Sequence, residues 1–356
     1  MKKSILILLI ASIIGLGSCG IRKYEERFNR LYSGFNKVEI ETLVEDSLLN
    51  VRALEINEGR VVAATSSGKI FRSILSYMSD FEEANYWSQT EDTIVPSNFR
   101  AIAFQGDYTY TLSIGNPAKL FQDGSLVYFE NNEKVFYDSI DFWNDKEGIA
   151  IGDPTDGCMS IIITRDGGNR WAKLSCDNLP KVKEGEAAFA ASDTNIAIVG
   201  NHTWVATGGK VSRILYSPDK GKTWQVFETP IVQGKETTGM YSVDFYDKYN
   251  GFAIGGDYTK PNDTLANKIR TKDGGKTWQV VANATGPGYR SCVQYVPNSN
   301  ARKLIAIGFK GIDYSNDAGD TWRHISDEAF YTIRFLNDSV AYAAGKGRIS
   351  KLTFRN

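Results

Sequence analysis

The sequence predicts an all-β fold, a seven-bladed β-propeller, from two repeated patterns. The first is the motif (Ser/Thr)-x-Asp-x-Gly-x-x-Trp, whose four copies begin at Thr164, Ser217, Thr271 and Ser315, at intervals of 53, 54 and 44 residues. The second is a strand, a turn and a small apolar strand, which recurs in seven units. Periods of this length are typical of propellers, in which each repeat is a blade of four short strands.

The first residues resemble an export signal. Lys2 and Lys3 precede the apolar run from Ile5 to Ile14. The segment Leu16-Gly-Ser-Cys19 is similar to the bacterial lipobox, where cleavage leaves a lipid-carrying cysteine at the N-terminus. An ordinary cleaved signal or an uncleaved anchor is the alternative. We therefore assign residues 1–19 to a lipoprotein signal peptide and expect a lipid-anchored protein of the bacterial envelope, at the outer membrane.

The charged residues 20–36 are expected to be a tether, and residues 37–356 to form the propeller. The segment Lys37–Thr42 alternates polar and apolar side chains, as a half-buried strand does. The last unit ends near Phe354 after three strands, so the strand at 37–44 can supply its fourth strand and close the ring.

The four Asp motifs are predicted to stabilise hairpin turns. A carboxylate and a hydroxyl can bond to nearby backbone groups in such a turn, while glycine takes a positive φ. The pattern is similar to the Asp-box, or BNR repeat, of sialidases and of several non-enzymatic propellers. In those families the box is structural and lies on the face opposite the active site, and the corresponding residues here are Asp166, Asp219, Asp273 and Asp317.

Three cysteines remain after Cys19. Cys158 and Cys176 flank the hairpin that contains Asp166, at similar distances from its turn, so they are either a disulfide or two small buried residues. The sequence has no Cys-x-x-Cys pair, and we predict neither a metal site nor a cofactor.

The candidate site is the central channel, because the first strand of every blade lines it. Three arginines, two carboxylates and two tyrosines occupy one aligned position and could bind an anionic group through arginine forks. A self-neutralising set of salt bridges that plugs the channel is the alternative. Aligning the units gives the ring Arg52, Arg100, Asp138, Glu186, Tyr241, Arg290 and Tyr331.

The turns after the second strands should open on the same face as this ring. They contribute Asp257 and His202, one of two histidines in the chain. A single histidine is more often a hydrogen-bonded surface residue than a catalyst.

The lipobox, the seven units, the Asp motifs and stretches such as Gly288–Pro297 and Gly185–Ser192 together resemble the photosystem II stability and assembly factor-like family. The resemblance covers residues 37–356 and implies a propeller that binds a membrane-protein subunit through an arginine patch. Arg52, Arg100 and Arg290 are the positions that could play that part. Some relatives carry an oxidoreductase label, for which this sequence has no cofactor motif.

Two further functional classes compete with a binding or assembly module. A sialidase-like glycoside hydrolase could use Glu186, Asp138 and Tyr241 beside the arginines. An oxidoreductase rests on the family label alone. We expect a monomer attached to the membrane through Cys19, with a protein or an anionic small ligand at the channel mouth. The mature chain is mildly acidic, which argues against nucleic acid as a partner.

Overall fold

The computed structural model describes residues 34–75, 85–91 and 97–356, so the predicted signal peptide with Cys19 and most of the tether lie outside the described residues. This part of the chain is all-β, with one 3₁₀ helix at Cys176–Asn178. The strands before that helix are β1 Lys37–Asn57, β2 Arg60–Thr65, β3 Lys69–Leu75, β4 Asn85–Glu91, β5 Phe99–Gln105, β6 Tyr108–Ser113, β7 Ala118–Gln122, β8 Ser125–Glu130, β9 Tyr137–Phe142, β10 Gly148–Gly152, β11 Ser160–Thr164 and β12 Ala172–Lys173.

The strands after the helix continue the same pattern of short hairpins. They are β13 Glu186–Ala187, β14 Ile196–Val199, β15 His202–Ala206, β16 Gly208–Gly209, β17 Arg213–Ser217, β18 Gln225–Glu228, β19 Thr238–Phe245, β20 Gly251–Asp257, β21 Lys268–Thr271, β22 Gln279–Val280, β23 Cys292–Tyr295, β24 Leu304–Gly308, β25 Gly311–Ser315, β26 Arg323–Ser326, β27 Thr332–Phe335, β28 Val340–Ala344 and β29 Lys346–Arg355.

The strands form six hydrogen-bonded sheets arranged as a propeller ring, not the seven blades predicted. The joined sheet has the order β27-β28-β29-β1-β2-β3-β4. The second sheet is β5 to β8, the third β9 to β12, and the fourth β14-β15-β17-β18. The fifth is β13-β16-β19-β20-β21-β22 and the sixth β23 to β26.

The physical reason for the lower count is the length of β1. Its first part pairs with β29, from Lys37 opposite Arg355 to Glu45 opposite Arg348. Its second part pairs with β2, from Val51 to Asn57. One unbroken strand therefore belongs to both the last and the first repeat and unites them in a single sheet. This pairing is the predicted closure by an N-terminal strand.

The core lies between neighbouring sheets. The inner strands contact one another in a closed ring in the order β1, β5, β9, β14, β19, β23, β27 and back to β1. The second strands are covered on both faces, so β10 and β24 are buried along their whole length. This burial explains their continuous apolar sequences, Gly-Ile-Ala-Ile-Gly and Leu-Ile-Ala-Ile-Gly, which carry no polar alternation.

All four Asp-boxes share two turn bonds, from the glycine amide to the first hydroxyl and from the seventh amide to the carboxylate, and three of the boxes add further bonds. In the box at Thr271, the Gly275 amide donates to the Thr271 hydroxyl oxygen at 3.0 Å. The Asp273 carboxylate accepts bonds from the Thr277 amide at 3.0 Å and the Thr277 hydroxyl at 2.6 Å. The Trp278 indole donates to the Gly275 carbonyl at 2.9 Å. The predicted role as a turn fastener matches this geometry.

The boxes also join neighbouring sheets through the carbonyl of their fourth residue. The donor always comes from the preceding sheet and is an aromatic or arginine side chain. The four bonds are Tyr110 to Gly167, Arg165 to Lys220, Trp204 to Gly274 and Arg270 to Ala318. The amide of the same residue donates to the turn between the first two strands of its own sheet, which places all four boxes on one face, the Asp-box face.

The inner strand of the fourth sheet differs from the prediction. From the repeated pattern of a strand, a turn and a small apolar strand, the sequence predicts Ala187–Ala190 as the first strand of this unit and Ile196–Gly200 as its second strand. In the structure Ile196–Val199 is itself the inner strand, and its hairpin partner is β15. Residues before it form β13, which pairs with β16 in the fifth sheet. Two short apolar runs in sequence looked like a hairpin, although their true partners lie elsewhere.

The structure also bears on disulfide bonding and on membrane-spanning helices. Cys158 and Cys176 form a disulfide with an S–S distance of 1.97 Å, so the structure joins the two cysteines whose state the sequence left open. Within the described ranges, the chain contains no helix with the length and hydropathy needed to cross a bilayer.

Candidate functional site

The central channel is closed by residues 191–195, which we call the hub segment. The segment leads into β14 and forms hydrogen bonds with the inner edges of all five other sheets. Arg52 and Thr332 of the joined sheet donate to the Ala191 and Ser192 carbonyls, each at 2.9 Å. The remaining partners are Ile102 of β5, Ile140 of β9, Ser242 of β19 and Ser291 just before β23.

Asp193 is the central residue of the hub segment. Its carboxylate accepts the Ile102 amide at 2.7 Å and the Ile140 amide at 3.3 Å, while its carbonyl accepts Arg334 at 3.0 Å. Its φ of 59° is in the left-handed region, which Asp tolerates better than most residues. Burial raises the pKa of Asp193 well above its ordinary value, against the opposing effect of Arg334. The hub segment separates the channel mouth from the Asp-box side.

At the channel mouth, Arg52 and Arg100 lie close enough to influence each other's charge. Burial and, to a smaller extent, the neighbouring Arg52 together lower the pKa of Arg100 to about 10. The Arg52 guanidinium lies 3.9 Å from the centroid of the Tyr331 ring. Among the described residues neither arginine forms an ion pair, and Arg100 donates only to Asn98 at 3.0 Å. Two partly buried cations thus remain uncompensated.

Asp138 lies beneath this pair. It is completely buried, and neither carboxylate oxygen has a well-formed hydrogen bond in the described structure. Burial raises its pKa well above the ordinary value, repulsion from Asp153 adds to this, and the Ala190 amide and Arg100 oppose it. Burial also raises the pKa of Asp153, which accepts the Ala188 amide at 2.8 Å. The raised pKa favours the neutral acid, which does not offset the positive charge of the mouth.

An aromatic cluster lies on the same face. Phe189 and Tyr241 stack at 4.0 Å, and Tyr241 meets Tyr289 edge-on at 4.8 Å. Tyr258 and Phe309 extend the cluster to solvent, with exposed fractions of 48% and 38%. Tyr289 is close enough to Arg52 for the guanidinium to affect its phenol. The mouth therefore combines cations with exposed aromatic surface, as protein-binding sites often do.

Two members of the predicted ring do not contribute to this charge. Glu186 is held by Arg213 in a two-bond ion pair at 2.6 and 3.0 Å, and Thr207 donates a third bond. Arg290 is buried against Asp313 at 2.5 Å. The ring is therefore neither wholly an anion site nor wholly a set of salt bridges.

The remaining candidates also have local partners. Tyr241 donates its hydroxyl to the Thr237 carbonyl at 2.9 Å, and burial raises its pKa. Asp257 is the last residue of β20, where bonds from Thr259 outweigh burial and lower its pKa. With Glu186 held by Arg213, these contacts do not assemble the acid and base pair that glycoside hydrolysis requires.

His202 lies on the Asp-box face, so its predicted position at the mouth is wrong. It begins β15, the second strand of its sheet, directly after the turn that accepts the Lys220 amide. Its Nδ1 is 2.6 Å from the Tyr216 hydroxyl. Burial and the nearby Lys248 lower its pKa. The error follows from the shifted strand assignment in the fourth sheet.

The sequence did not reveal a second cavity, of about 260 Å³, on the Asp-box side of the hub segment. Glu55, Asp141, Asp244, Gln294 and Arg334 are among its lining residues. Glu55 pairs with Arg334 at 2.8 Å. Burial raises the pKa of Asp141 to about 7 and that of Asp244 to about 6. Within the described residues no group of three or more His, Cys, Asp or Glu side chains could hold a metal ion.

Comparison with known proteins adds evidence about the fold. No protein-family model matches the chain, and no curated protein matches it. Similar solved structures include YCF48 bound to D1 peptide, with a TM-score of 0.60 and 13% identity over 90% of this chain and 96% of that one. The WD40 repeats of RRP9 match with a TM-score of 0.62 and 9% identity over 91% and 99%. YCF48 from Cyanidioschyzon merolae matches with a TM-score of 0.60 and 13% identity over 90% and 98%.

The chain is a β-propeller. At these identities the likeness shows the fold alone, and it spans nearly the whole of each compared chain. The propeller presents two different ends, a mouth with Arg52 and Arg100 and an Asp-box face. Function must be argued from those two surfaces.

Proposed function

We propose that this propeller is a non-catalytic protein-binding or assembly module whose ligand site is the channel mouth. The observation that carries the proposal is the pair Arg52 and Arg100, two partly buried guanidinium groups without ion-pair partners in the described structure. Desolvated arginines bind carboxylates strongly because each can donate two charge-assisted hydrogen bonds. The ligand is an acidic segment of a protein, whose apolar side chains pack on Tyr258 and Phe309.

The similarity in fold to a propeller whose structure contains a bound peptide supports a peptide as the ligand class. The resemblance to assembly factors supports a membrane-protein partner. An acidic sugar would use the arginines in the same way, but Glu186 is committed to Arg213 and supplies no acid or base.

The proposed location is the bacterial envelope, with lipid on Cys19. The lipobox-like sequence supports this location. The disulfide between Cys158 and Cys176 also supports it, because such bonds persist in oxidising compartments.

The mouth can be tested with an Arg52→Gln/Arg100→Gln double variant. Partners would be captured by cross-linking in membranes, and the affinity of the purified propeller for an acidic segment of the captured protein measured by calorimetry. We expect the affinity to fall about 10- to 100-fold, since each charge-assisted hydrogen bond contributes about 1.5–3 kcal/mol. An Arg323→Gln/Arg355→Gln variant on the Asp-box face should bind normally. Equal affinity of both variants would refute the proposed site.

The non-catalytic assignment has its own test. Purified protein should not hydrolyse fluorogenic sialosides or other glycosides. Turnover that is abolished by Asp138→Asn or Glu186→Gln would instead establish a hydrolase.

A further inference from the structure

The Asp-box face carries a group of exposed cations that the fold does not hold in ion pairs among the described residues. Three neighbouring sheets, the third to the fifth, contribute exposed side chains to it. None of these side chains forms an ion pair within the described part of the molecule. We call this group the basic arc, and its members are Arg170, Lys222, Lys248, Lys272 and Lys276.

The acidic residues of the same turns are already engaged. Asp219 accepts two backbone amides and the hydroxyls of Ser217 and Thr223. Asp273 has the equivalent four bonds in its own box. Glu147 is shared by Arg165 and Lys220. These carboxylates keep their negative charge but are held within the turns, whereas the cations of the basic arc point to solvent.

An aromatic residue stands among these cations. Tyr249 is 54% exposed, and the Lys248 ammonium lies 5.0 Å from the centroid of its ring. Tyrosine and lysine together are typical of protein surfaces at the level of lipid headgroups.

The N-terminal part of the chain also arrives at this face. Phe35 packs on Tyr314 at 4.9 Å, and Asn36 accepts a bond from Arg323, which follows the box tryptophan Trp322. Fourteen residues, 20–33, separate Cys19 from this entry point. They can span at most about 50 Å, at roughly 3.3–3.6 Å per residue. A lipid on Cys19 would thus be attached to the part of the chain that enters at the Asp-box face, and a tether of this length lets that face reach the bilayer.

We propose that the basic arc docks on an anionic lipid bilayer, so that the Asp-box face lies against the membrane and the Arg52–Arg100 mouth points away from it. This inference rests on the proposed envelope location. The anchor and the charge complementarity act on the same face, and the docking leaves the mouth open to a protein partner.

The test uses the mature lipidated protein on vesicles of phosphatidylcholine with or without phosphatidylglycerol. A donor dye is attached at Asn169→Cys on the Asp-box face or at Leu265→Cys on the opposite face, and energy transfer to a headgroup acceptor is measured. Cys292 is buried and Cys158 and Cys176 are paired, so the new cysteine is the reactive one among the described residues. We expect greater transfer from position 169, only on anionic vesicles and decreasing with salt.

The requirement for positive charge is tested with the triple variant Lys222→Gln/Lys272→Gln/Lys276→Gln. This variant should abolish the difference in energy transfer between the two dye positions. The matched control Lys210→Gln/Lys235→Gln/Lys260→Gln removes the same charge from the opposite face and should retain it. Equal transfer from both positions in the unsubstituted protein, or a difference that survives the first triple variant, would overturn the proposal.

Two outcomes separate this proposal from the proposed function. If the mature protein carries no lipid, it should still sediment with anionic vesicles. The triple variant Lys222→Gln/Lys272→Gln/Lys276→Gln should bind these vesicles about a hundredfold more weakly. Absence of sedimentation of the unsubstituted protein overturns the docking. The same triple variant should bind the peptide partner normally. The Arg52→Gln/Arg100→Gln variant should lose peptide binding and keep the orientation of the propeller on anionic vesicles.

Discussion

At the residue scale, the four Asp-boxes are not equivalent. Three have threonine at the seventh position, whose hydroxyl donates to the carboxylate at 2.6–2.7 Å. The box at Thr164 has Arg170 there, which offers only its amide, and the Trp171 indole has no hydrogen-bond partner among the described residues. The sequence shows this difference, but only the contacts show that it leaves fewer bonds in that box.

The box carboxylates should contribute measurably to stability. Asp273→Ala removes the acceptor of four hydrogen bonds at once, and we expect the free energy of unfolding to fall by about 2–4 kcal/mol, at about 0.5–1 kcal/mol per bond. Urea denaturation measures the change. Asp107→Ala, whose side chain is 98% exposed, is the control and should change stability by less than about 0.5 kcal/mol. Equal effects would contradict the fastening role.

The cavity on the Asp-box side of the hub segment should give the stability of the protein an unusual pH dependence. Asp141 and Asp244 have pKa values of about 7 and about 6, above the roughly 3.9 of an unfolded aspartate. Between these limits the folded protein binds more protons, so their contribution to stability grows as the pH falls from about 7 towards 4. Asp141→Asn/Asp244→Asn should flatten this part of the stability profile measured by urea denaturation. An unchanged slope would show that neither group titrates as stated.

At lower pH, the carboxylates of the Asp-boxes contribute to the pH dependence of stability with the opposite sign. In Asp219, Asp273 and Asp317, hydrogen bonds from the turn outweigh burial and lower the pKa. Their contribution is complete above the unfolded pKa and is lost as the pH falls through the lower folded values.

At the element scale, β1 decides how the ring closes. Its N-terminal part covers the edge of β29, and Val38 and Ile40 pack on the core between the sixth and the joined sheets. The alternation Lys-Val-Glu-Ile-Glu-Thr predicted this strand. Its continuation through Asn57 was not predicted, because the strand was expected to end at residue 44.

Removal of this closing segment should open the ring. A chain lacking residues 20–45 would expose β29 as a free edge, and we expect a large loss of thermal stability together with aggregation seen by light scattering. Deleting residues 20–33 alone retains Phe35 and the paired segment, and should leave the thermal midpoint unchanged. A similar loss in both deletions would argue against the closing role.

At the scale of the whole molecule, the hub segment links every sheet. Its contacts bring together residues that are up to 141 positions apart, such as Asp193 and Arg334. No periodic pattern marks it, since Ser-Asp-Thr-Asn occurs once and reads as a loop. Consequently the prediction of a ring of side chains that either binds an anion or plugs the channel with salt bridges did not include this segment.

Loss of the hub carboxylate should weaken the whole propeller. Asp193→Ala leaves the buried Ile102 and Ile140 amides without an acceptor, at a cost of about 1–3 kcal/mol each. Asp193→Asn keeps one acceptor and tolerates the positive φ, so it should cost less. Urea denaturation would measure both against the exposed control Asp177→Ala. An Ala variant as stable as the control would refute the role of the hub.

The sequence alone determined the all-β propeller, the turn role of the Asp-boxes and the closing strand, because these depend on local patterns that repeat. It also identified Arg52 and Arg100 as channel residues. Only the tertiary structure decided which ring members keep their charge, since the partners Arg213 of Glu186 and Asp313 of Arg290 lie 27 and 23 residues away. The count of six sheets and the closed channel likewise depend on pairing between distant segments, which a periodic pattern does not encode.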